Sequence, residues 1–182
     1  MHDTRQPAIV DKTGGLWYTG YMNRELEREA NGLRRSPLRT LTAAEVEHLK
    51  REITAIGADL SVFVFVDFAK TNYSDSYDTI FVGANVFPDV NSIHPRDLMS
   101  ERAVLAHEYY GHRTFRNTIL PARSWNDEFR ASYTAAKTAP NLTVSDRRYL
   151  ILDALERARE AGVTIKHNEF IRGVLYGYSN DG

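Results

Sequence analysis

The sequence predicts an α+β domain in which a small sheet packs on helices, and two observations lead to this class. Two segments, Ser61 to Phe68 and Asp78 to Val86, have the β-branched and aromatic composition of strands. Stretches with helical caps and helical spacing of apolar residues precede and follow these segments without alternating with them. Helices grouped around adjacent strands are typical of the α+β class.

Length and composition indicate one domain with its own hydrophobic core. The chain has 182 residues, of which 42% are hydrophobic and 26% are charged, and its net charge is −1. We expect residues 41–182 to form the domain and residues 1–40 to be an N-terminal extension that packs on it. The near-neutral charge gives no reason to expect nucleic-acid binding. The chain has no cysteine, which excludes thiol nucleophiles and cysteine zinc ligands.

Targeting signals are not evident in the sequence. The polar residues from Met1 to Val10 do not form the apolar core of a signal peptide. No run of apolar residues is long enough to span a bilayer. We therefore expect a soluble protein, and the sequence leaves its compartment open.

Local signals define the first helix and the strands. Thr42 to Glu45 is a capping box, in which the two side chains satisfy free backbone amides, and Gly57 ends this helix. Ser61 to Phe68 is apolar on both faces, which suits a central strand. Asp78 to Val86 is interrupted by a glycine and an asparagine, which favour an edge strand. Between them, Lys70 to Asp78 is predicted to be a polar loop.

Three serines mark the starts of helices in the C-terminal half. Ser100 begins the helix that carries the motif described next, and the apolar run Ala103 to Ala106 buries that helix. Ser124 and Ser145 begin the following two helices. The predicted spans are Glu101 to Arg116, Trp125 to Lys137, a helix that ends near Ala161, and a short helix or irregular tail from Asn168 to Tyr178.

The segment from His107 to His112, with the sequence HEYYGH, has the residue types of a catalytic zinc site. Zinc binds neutral imidazole and carboxylate groups, and a catalytic site has three protein ligands and a water molecule. Two histidines on one helix provide a pair of ligands, and a glutamate beside the first one can act as general base on the water. We therefore predict His107 and His112 as ligands of Zn²⁺ and Glu108 as the base.

The spacing of the two histidines predicts a distorted helix. They are five residues apart, whereas the usual helical zinc motif has four. Five steps of a regular helix separate two side chains by about 140°. A π-bulge absorbs the extra residue, and Gly111 tolerates unusual backbone angles. The alternative is a surface helix with two unrelated histidines, but the apolar run Ala103 to Ala106 indicates a buried helix.

The helix that follows the motif offers a third ligand. If it runs antiparallel to the motif helix, one of its faces returns to the metal, and we choose Glu128 as the ligand. Asp127 is the alternative ligand, or it holds a histidine ring in place. Arg130 is predicted to pair with a neighbouring carboxylate. The alternative is that the two acidic residues only favour the N-terminus of their helix.

Two short motifs resemble those of dipeptidyl peptidase III. The segment from His107 to His112 fits the pattern H-E-x-x-G-H, and Asp127 to Ala131 is similar to that family's second motif, Glu-Glu-x-Arg followed by a small residue. The resemblance covers about 30 residues, and this chain is far shorter, with a compressed gap between the motifs. It implies the two histidines and Glu128 as zinc ligands, Glu108 as the base, and a minimal zincin of the glutamate-ligand type. It does not imply that dipeptides are released.

The same wider group suggests where a substrate lies, because its edge strand runs beside the motif helix and holds the substrate in extended form. Asp78 to Val86 is the matching segment, and we expect Gly83, Ala84 and Asn85 to bind the substrate by β-strand addition. Hydrolysis also needs a donor aimed at the developing oxyanion, and the sequence does not choose between candidates. They are Tyr176 and His167, which we name as candidate catalytic residues, together with Tyr133 and Tyr178.

The predicted function is zinc-dependent hydrolysis of a peptide bond in a peptide or protein substrate. Another metal-dependent hydrolase, or a non-haem iron enzyme, would use the same types of ligand. A catalytically inactive zincin-like module, acting in binding or as a toxin, is the alternative from a different class. Glu108 argues against that alternative, because a purely structural metal site does not need a base. The sequence leaves the substrate, the cleavage specificity and the oligomeric state open.

Overall fold

A three-stranded sheet and six α-helices make up the residues that the computed structural model describes, which are 38–117 and 124–177. The predicted α+β class, with a small sheet packed on helices, is confirmed. Most of the predicted N-terminal extension, residues 1–40, lies outside the described residues, as does Tyr178. None of the helices in the described part of the chain is long and apolar enough to cross a membrane.

The first helix, α1 (Ala43–Ala55), has the predicted capping box. The hydroxyl oxygen of Thr42 accepts the backbone N–H of Glu45, and the Glu45 carboxylate accepts the backbone N–H of Thr42. Arg39 also donates to both oxygens of that carboxylate, at 2.9 and 2.6 Å. Gly57 lies just beyond the helix with a left-handed φ of +67°, which favours glycine.

The sheet has the strand order β1-β3-β2, which differs from the prediction. Strand β1 (Phe63–Phe65) pairs parallel with β3 (Thr79–Val82), and β2 (Asn72–Ser74) pairs antiparallel with β3. The predicted central strand therefore lies at an edge, and the predicted edge strand is central. The sequence predicts a loop at β2 because its composition, Asn-Tyr-Ser, has no apolar alternation. Pairing with β3 in a hairpin outweighs that weak local preference.

Strand β3 ends at Val82 because the chain makes a close approach there. A Cβ atom on Gly83 would lie 1.8 Å from the carbonyl oxygen of Ala69, so only glycine fits. The next residues form a 3₁₀ turn, Ala84–Val86, instead of continuing the strand. Ile80 and Val82 are fully buried, which is consistent with the central position of β3.

Five helices follow the sheet. They are α2 (Pro95–Leu98), α3 (Glu101–Ala106), α4 (Trp125–Thr138), α5 (Val144–Glu160) and α6 (Glu169–Tyr176). Ser100 caps α3 as predicted, by accepting the backbone N–H of Ala103. Thr143 caps α5 instead of the predicted Ser145, because Thr143 forms a complete capping box with Asp146.

The helix that carries the motif changes its winding along its length. The regular helix α3 continues without a break into a π-helical segment, His107–His112, which we call the π segment. A 3₁₀ turn, Arg113–Phe115, follows. The single helix predicted from Glu101 to Arg116 is therefore present as three successive types of winding.

Helix α4 packs both on the π segment and on α5. Small side chains line its fully buried positions, which are Ala131, Ser132, Ala135 and Ala136. Small residues allow neighbouring helices to approach closely. The buried face of α5 consists of Asp146, Leu150, Ile151, Asp153, Ala154 and Ala158, whereas the side chains of Tyr149, Leu152 and Leu155 are only partly buried. Helix α5 thus packs on α4 through this face.

Candidate metal centre

The two motif histidines face each other on one side of the π segment. In a π-helix the backbone hydrogen bonds join residues five apart, so residues at this spacing come onto one face. The Nε2 atoms of His107 and His112 lie 3.0 Å apart. The predicted π distortion is confirmed. It brings together two imidazoles that a regular helix would separate.

Gly111 allows α4 to pack directly on the π segment. A Cβ atom at this position would lie 2.6 Å from the carbonyl oxygen of Ala131 and 2.7 Å from its Cα. These are backbone atoms, which cannot move aside as the end of a flexible side chain can. The φ of Gly111 is not in the left-handed region. The close approach of the two helices is therefore a reason for glycine at this position that the sequence did not indicate.

Glu128, in the first turn of α4, adds a carboxylate to the two imidazoles. Its Oε2 lies 3.4 Å from Nε2 of His107, and its Oε1 lies 3.7 Å from Nε2 of His112. Ligand atoms bound at about 2.0–2.1 Å in a tetrahedral zinc site lie roughly 3.3–3.4 Å from one another. The observed separations of 3.0, 3.4 and 3.7 Å bracket that value, so the donor set fits one ion of this size.

A buried chain of hydrogen bonds sets the tautomer of His107. Its Nδ1 lies 2.8 Å from the hydroxyl of Ser132, which in turn lies 2.6 Å from Oδ2 of Asp153. An ionised carboxylate only accepts, so Ser132 donates its one proton to Asp153 and accepts the Nδ1 proton of His107. The Nε2 of His107 is therefore left with a lone pair that faces the other two donors. This is the form in which imidazole binds a metal.

Asp127 lies on the opposite side of the His112 ring from the shared centre. Its Oδ2 is 3.5 Å from Nδ1 of His112, and its Oδ1 accepts from Arg130 at 2.5 Å. The Arg130 guanidinium in turn stacks over Phe115, 4.3 Å from the ring centroid. The predicted pairing of Arg130 with a carboxylate is present. Of the two acidic neighbours, Glu128 faces the Nε2 atoms and Asp127 does not.

Buried carboxylates dominate the electrostatics of the site. Burial alone would raise the pKa of Glu128, but both histidines and Arg157 hold that pKa well below its usual range. Burial alone would lower the pKa of His112, but hydrogen bonds with Asp127 and Glu128 raise that pKa to about 10. The surroundings therefore favour a cation at the imidazole nitrogens.

Carboxylate and guanidinium groups surround the centre. Four carboxylates lie there, those of Glu108, Asp127, Glu128 and Asp153. Two guanidinium groups, of Arg130 and Arg157, pair with them. A third, that of Arg96, is shared between Asp153 and Glu160, an acid outside the centre. A divalent cation such as Zn²⁺, held by the two imidazoles and Glu128, would lie beside these carboxylates, and buried carboxylates favour a nearby cation.

Glu108 connects the π segment to the sheet. Its side chain is buried, and its Oε2 accepts the backbone N–H of Tyr73 at 2.9 Å. This N–H points away from β3, so the edge of β2 that pairs with no other strand in the described part of the chain, which we call its free edge, faces Glu108. The predicted base therefore lies between the motif histidines and the edge strand of the sheet.

The residues predicted to bind a substrate lie in another part of the sheet. Gly83, Ala84 and Asn85 follow the central strand β3, and Ala84 is fully buried. The side-chain oxygen of Asn85 accepts the backbone N–H of Thr71 at 2.7 Å, which closes a loop of the fold. Their assignment depended on an edge position for this strand, and that position is wrong.

The candidate oxyanion donors lie towards α6. Tyr176, at the end of that helix, is 73% exposed, and its ring centroid is 6.5 Å from that of His167. The Tyr133 hydroxyl accepts from the side-chain amide of Asn168 at 2.9 Å. In the described part of the chain, no hydrogen bond, ion pair or ring contact joins these side chains to the motif histidines or to Glu128. A catalytic role for His167 or Tyr176 stays a prediction.

A second cluster combines His94 with two glutamates of α5, Glu156 and Glu160. The His94 Nε2 lies 3.3 Å from Glu160 and 3.6 Å from Glu156. Its Nδ1 accepts the backbone N–H of Arg96, so Nε2 carries a proton and donates to these carboxylates. Arg96 and Arg159 also pair with the two glutamates. The cluster is therefore best described as a network of ion pairs.

Several residues that contact the centre are not singled out by sequence patterns. Ser132, Asp153 and Arg157 lie within predicted helices, and Tyr73 lies in a predicted loop. The one usable signal is Asp153, because helical spacing puts this acidic residue on the same face as Leu150 and Ala154. A charged residue in an apolar stripe indicates a buried partner, although it does not identify that partner.

In comparisons with protein-family models, with curated proteins and with solved structures, no match to this chain was found. The function is therefore argued from the geometry and chemistry of the centre.

Proposed function

We propose that this protein is a zinc-dependent peptidase. His107, His112 and Glu128 hold the zinc ion in this proposal. The observation that carries it is the convergence of two Nε2 atoms and one carboxylate at separations of 3.0, 3.4 and 3.7 Å. Three protein ligands are typical of catalytic zinc, whereas structural zinc has four.

Glu108 acts as the general base in this proposal. Zinc held by the three proposed ligands would supply Lewis acidity to the substrate carbonyl and would lower the pKa of the attacking water. Glu108 takes a proton from this water as its oxygen bonds to the carbonyl carbon, and gives the proton to the amine as the C–N bond breaks. The backbone N–H of Tyr73 fixes one carboxylate oxygen, so the other makes these transfers.

The free edge of β2 is the proposed place for the substrate, in place of residues 83–85. This edge faces Glu108, since the N–H of Tyr73 points towards it. An extended peptide adds to such an edge through main-chain hydrogen bonds. A backbone-bound peptide places a carbonyl group near the base irrespective of its side chains, which favours peptide or protein substrates over small esters.

Metal content tests the ligand assignment. We expect the full-length protein to bind one equivalent of zinc after dialysis, and His107→Ala and His112→Ala to lose it. His48→Gln is a matched control, because His48 pairs with Glu101 outside the centre and should leave zinc binding unchanged. Zinc retained by both alanine variants would contradict the assignment.

Activity tests the assignment of the base. Hydrolysis of a mixed fluorogenic peptide library should fall by roughly 100-fold or more in Glu108→Gln, because general-base catalysis contributes about 10²–10⁴-fold. Zinc content should stay the same, since Glu108 is not a ligand in this proposal. A zinc-loaded Glu108→Gln variant with full activity would rule out the mechanism. A zinc-loaded wild-type protein without activity would favour an inactive binding module.

The same donors also match a second class of enzyme. Two histidines and one carboxylate with open positions are the ligands of non-haem Fe(II) oxygenases. The buried Glu108 beside the centre favours hydrolysis, because that iron chemistry has no need of a base at this position. Protein purified without added metal should contain zinc, and stoichiometric iron would favour the second class.

A further inference from the structure

Helix α5 supplies a pair of charged residues that reach two of the three proposed ligands. Asp153 is fully buried, and its carboxylate accepts from Nε of Arg157, one turn later, at 3.0 and 3.1 Å. Helix α5 carries neither the histidine motif nor Glu128. The pair therefore acts on the centre from a third element of the fold.

Asp153 is linked to His107 through one hydroxyl group, that of Ser132. Ser132 has a single proton to donate, and its short contact of 2.6 Å to Asp153 uses that proton. The remaining contact, of 2.8 Å, takes the Nδ1 proton of His107. The carboxylate thus determines which nitrogen of the imidazole is free for a metal.

Arg157 contacts Glu128 directly. A terminal nitrogen of the guanidinium lies 3.1 Å from Oε2 of Glu128, while its Nε binds Asp153. One planar group therefore spans a structural carboxylate and a proposed ligand. The guanidinium fork holds each carboxylate in a defined direction, which a lysine at this position would not do.

We propose that Asp153 and Arg157 are positioning residues of the metal centre, with Ser132 as the relay to His107. This inference rests on the proposed zinc site. Groups that orient metal-binding histidines and carboxylates change metal affinity by about 10- to 100-fold when they are removed. If the ion pair between α5 and its neighbours were purely structural, removal of the Ser132 hydroxyl would leave zinc affinity unchanged.

Zinc affinity, measured by competition with a chromophoric chelator, separates these two roles. Ser132→Ala leaves the Asp153–Arg157 pair intact but breaks the path to His107, so we expect zinc to bind about 10- to 100-fold more weakly. Ser92→Ala is the matched control, since Ser92 donates to another buried carboxylate, that of Asp97, at 2.9 Å. We expect a change of less than about twofold there, because Asp97 does not contact the centre.

Arginine variants test the contact between Arg157 and Glu128. We expect Arg157→Gln to weaken zinc binding by about 10- to 100-fold. Arg147→Gln is its control, because Arg147 also joins α5 to α4, through the carbonyl oxygens of Ala136 and Ala139, without reaching the ligands. Asp153→Asn keeps the shape of the side chain but removes the negative charge that contacts both Ser132 and Arg157. It therefore provides a second route to the result if Arg157→Gln does not fold.

Nuclear magnetic resonance of the imidazole groups gives a readout that is independent of activity. In the zinc-loaded wild type, the Nδ1 proton of His107 should give a resolved signal protected from exchange, because Ser132 accepts it in a buried position. In zinc-loaded Ser132→Ala this signal should exchange with solvent and broaden. A merely structural serine would leave the signal unchanged.

The outcomes distinguish this inference from the proposed function. Wild-type protein that binds no zinc would overturn the metal centre and this inference with it. Wild-type protein that binds zinc, together with Ser132→Ala and Arg157→Gln variants of unchanged affinity and an unchanged His107 signal, would overturn the inference alone. Weaker binding in both variants, with unchanged Ser92→Ala and Arg147→Gln controls, would support it.

Discussion

Tyr73 donates its backbone N–H to the carboxylate of Glu108 over 2.9 Å, which joins the edge strand directly to the motif helix. A second contact joins the same hairpin to the turn after the motif, because Asp78 accepts from Arg113 at 2.8 and 2.9 Å. These two attachments hold strand β2 along the π segment. The position of Glu108 therefore depends on the sheet as well as on its own helix.

Removing the Tyr73 N–H should lower catalysis without removing zinc. Proline is tolerated at an edge-strand position whose N–H points away from the sheet. A hydrogen bond to a charged group contributes about 1.5–3 kcal/mol, so kcat in Tyr73→Pro should fall about tenfold or more. Tyr73→Phe keeps the N–H and loses only the hydroxyl contact with Asp78, so it should remain active. Equal kcat values for the two variants would exclude an orienting role for this N–H.

Gly111→Ala should weaken both folding and zinc binding. The new methyl group would collide with the backbone of Ala131, and overpacking of this kind costs about 1–3 kcal/mol. Relief of the collision moves α4, and Glu128 with it, away from the histidines. Urea denaturation and chelator competition measure the two effects.

Gly162→Ala is the control for this prediction. Gly162 has a φ of +73° and open space around its Cα, so alanine there should lower stability through backbone strain alone. We expect its zinc affinity to equal that of the wild type. If zinc affinity in Gly111→Ala were also unchanged, the close packing of α4 would not be what sets the centre.

The choice between Glu128 and Asp127 as the ligand is open to a direct test. Glu128→Gln should lose zinc on dialysis against a weak chelator, because a ligand is replaced by a poor donor. Asp127→Asn should bind zinc about tenfold more weakly, since it alters the support of His112 and the pairing with Arg130 but removes no ligand. The reverse order of affinities would make Asp127 the ligand. Elemental analysis and chelator competition give both values.

Acid should remove a specific contribution to stability at the start of α1. The hydrogen bond with Arg39, and then that with the backbone of Thr42, lower the pKa of Glu45 from 4.5 to about 2. A carboxylate with a lowered folded-state pKa stabilises the fold above its unfolded pKa, and this contribution disappears as the pH falls from about 4.5 to about 2. Urea denaturation of Glu45→Gln should therefore show a lower stability at pH 7 and a flatter decline below pH 4.5.

Glu47→Gln provides the comparison for this loss of stability at low pH. Glu47 lies in the same helix and pairs with Lys50, but its side chain is 62% exposed. Solvent screens an exposed pair, so its removal should change stability little at any pH. If both variants showed the same decline with pH as the wild type, the Arg39–Glu45 pair would not contribute to acid stability.

Local signals in the sequence predicted the parts of the fold that are locally determined. The capping box at Thr42 and the cap at Ser100 form within three residues, so the chain itself specifies them. The five-residue spacing of the histidines predicted the π segment, since no regular helix brings them together. The prediction of Glu128 near both histidines assumed an antiparallel second helix, and its carboxylate oxygens lie 3.4 and 3.7 Å from the two Nε2 atoms.

Features that depend on tertiary packing were not predictable in the same way. The sheet order depends on which strand lies between the other two, and apolar composition alone put Ser61 to Phe68 in the centre. The contact from Tyr73 to Glu108 requires a strand that only pairing with β3 creates. Asp153 and Ser132 are separated by 21 residues, and only the packing of α5 on α4 brings them together.

The π segment also sets the directions in which the side chains after it project from the helix. One additional residue in a turn rotates the later side chains by about 100° relative to a regular helix. Arg113 and Arg116, which follow this turn, both reach Asp78 on the hairpin of β2. Deleting Tyr110 would restore the common four-residue spacing of the histidines, but it would also turn both arginines away from Asp78. The extra residue thus sets two alignments at once, one between the imidazoles and one between the helix and the sheet.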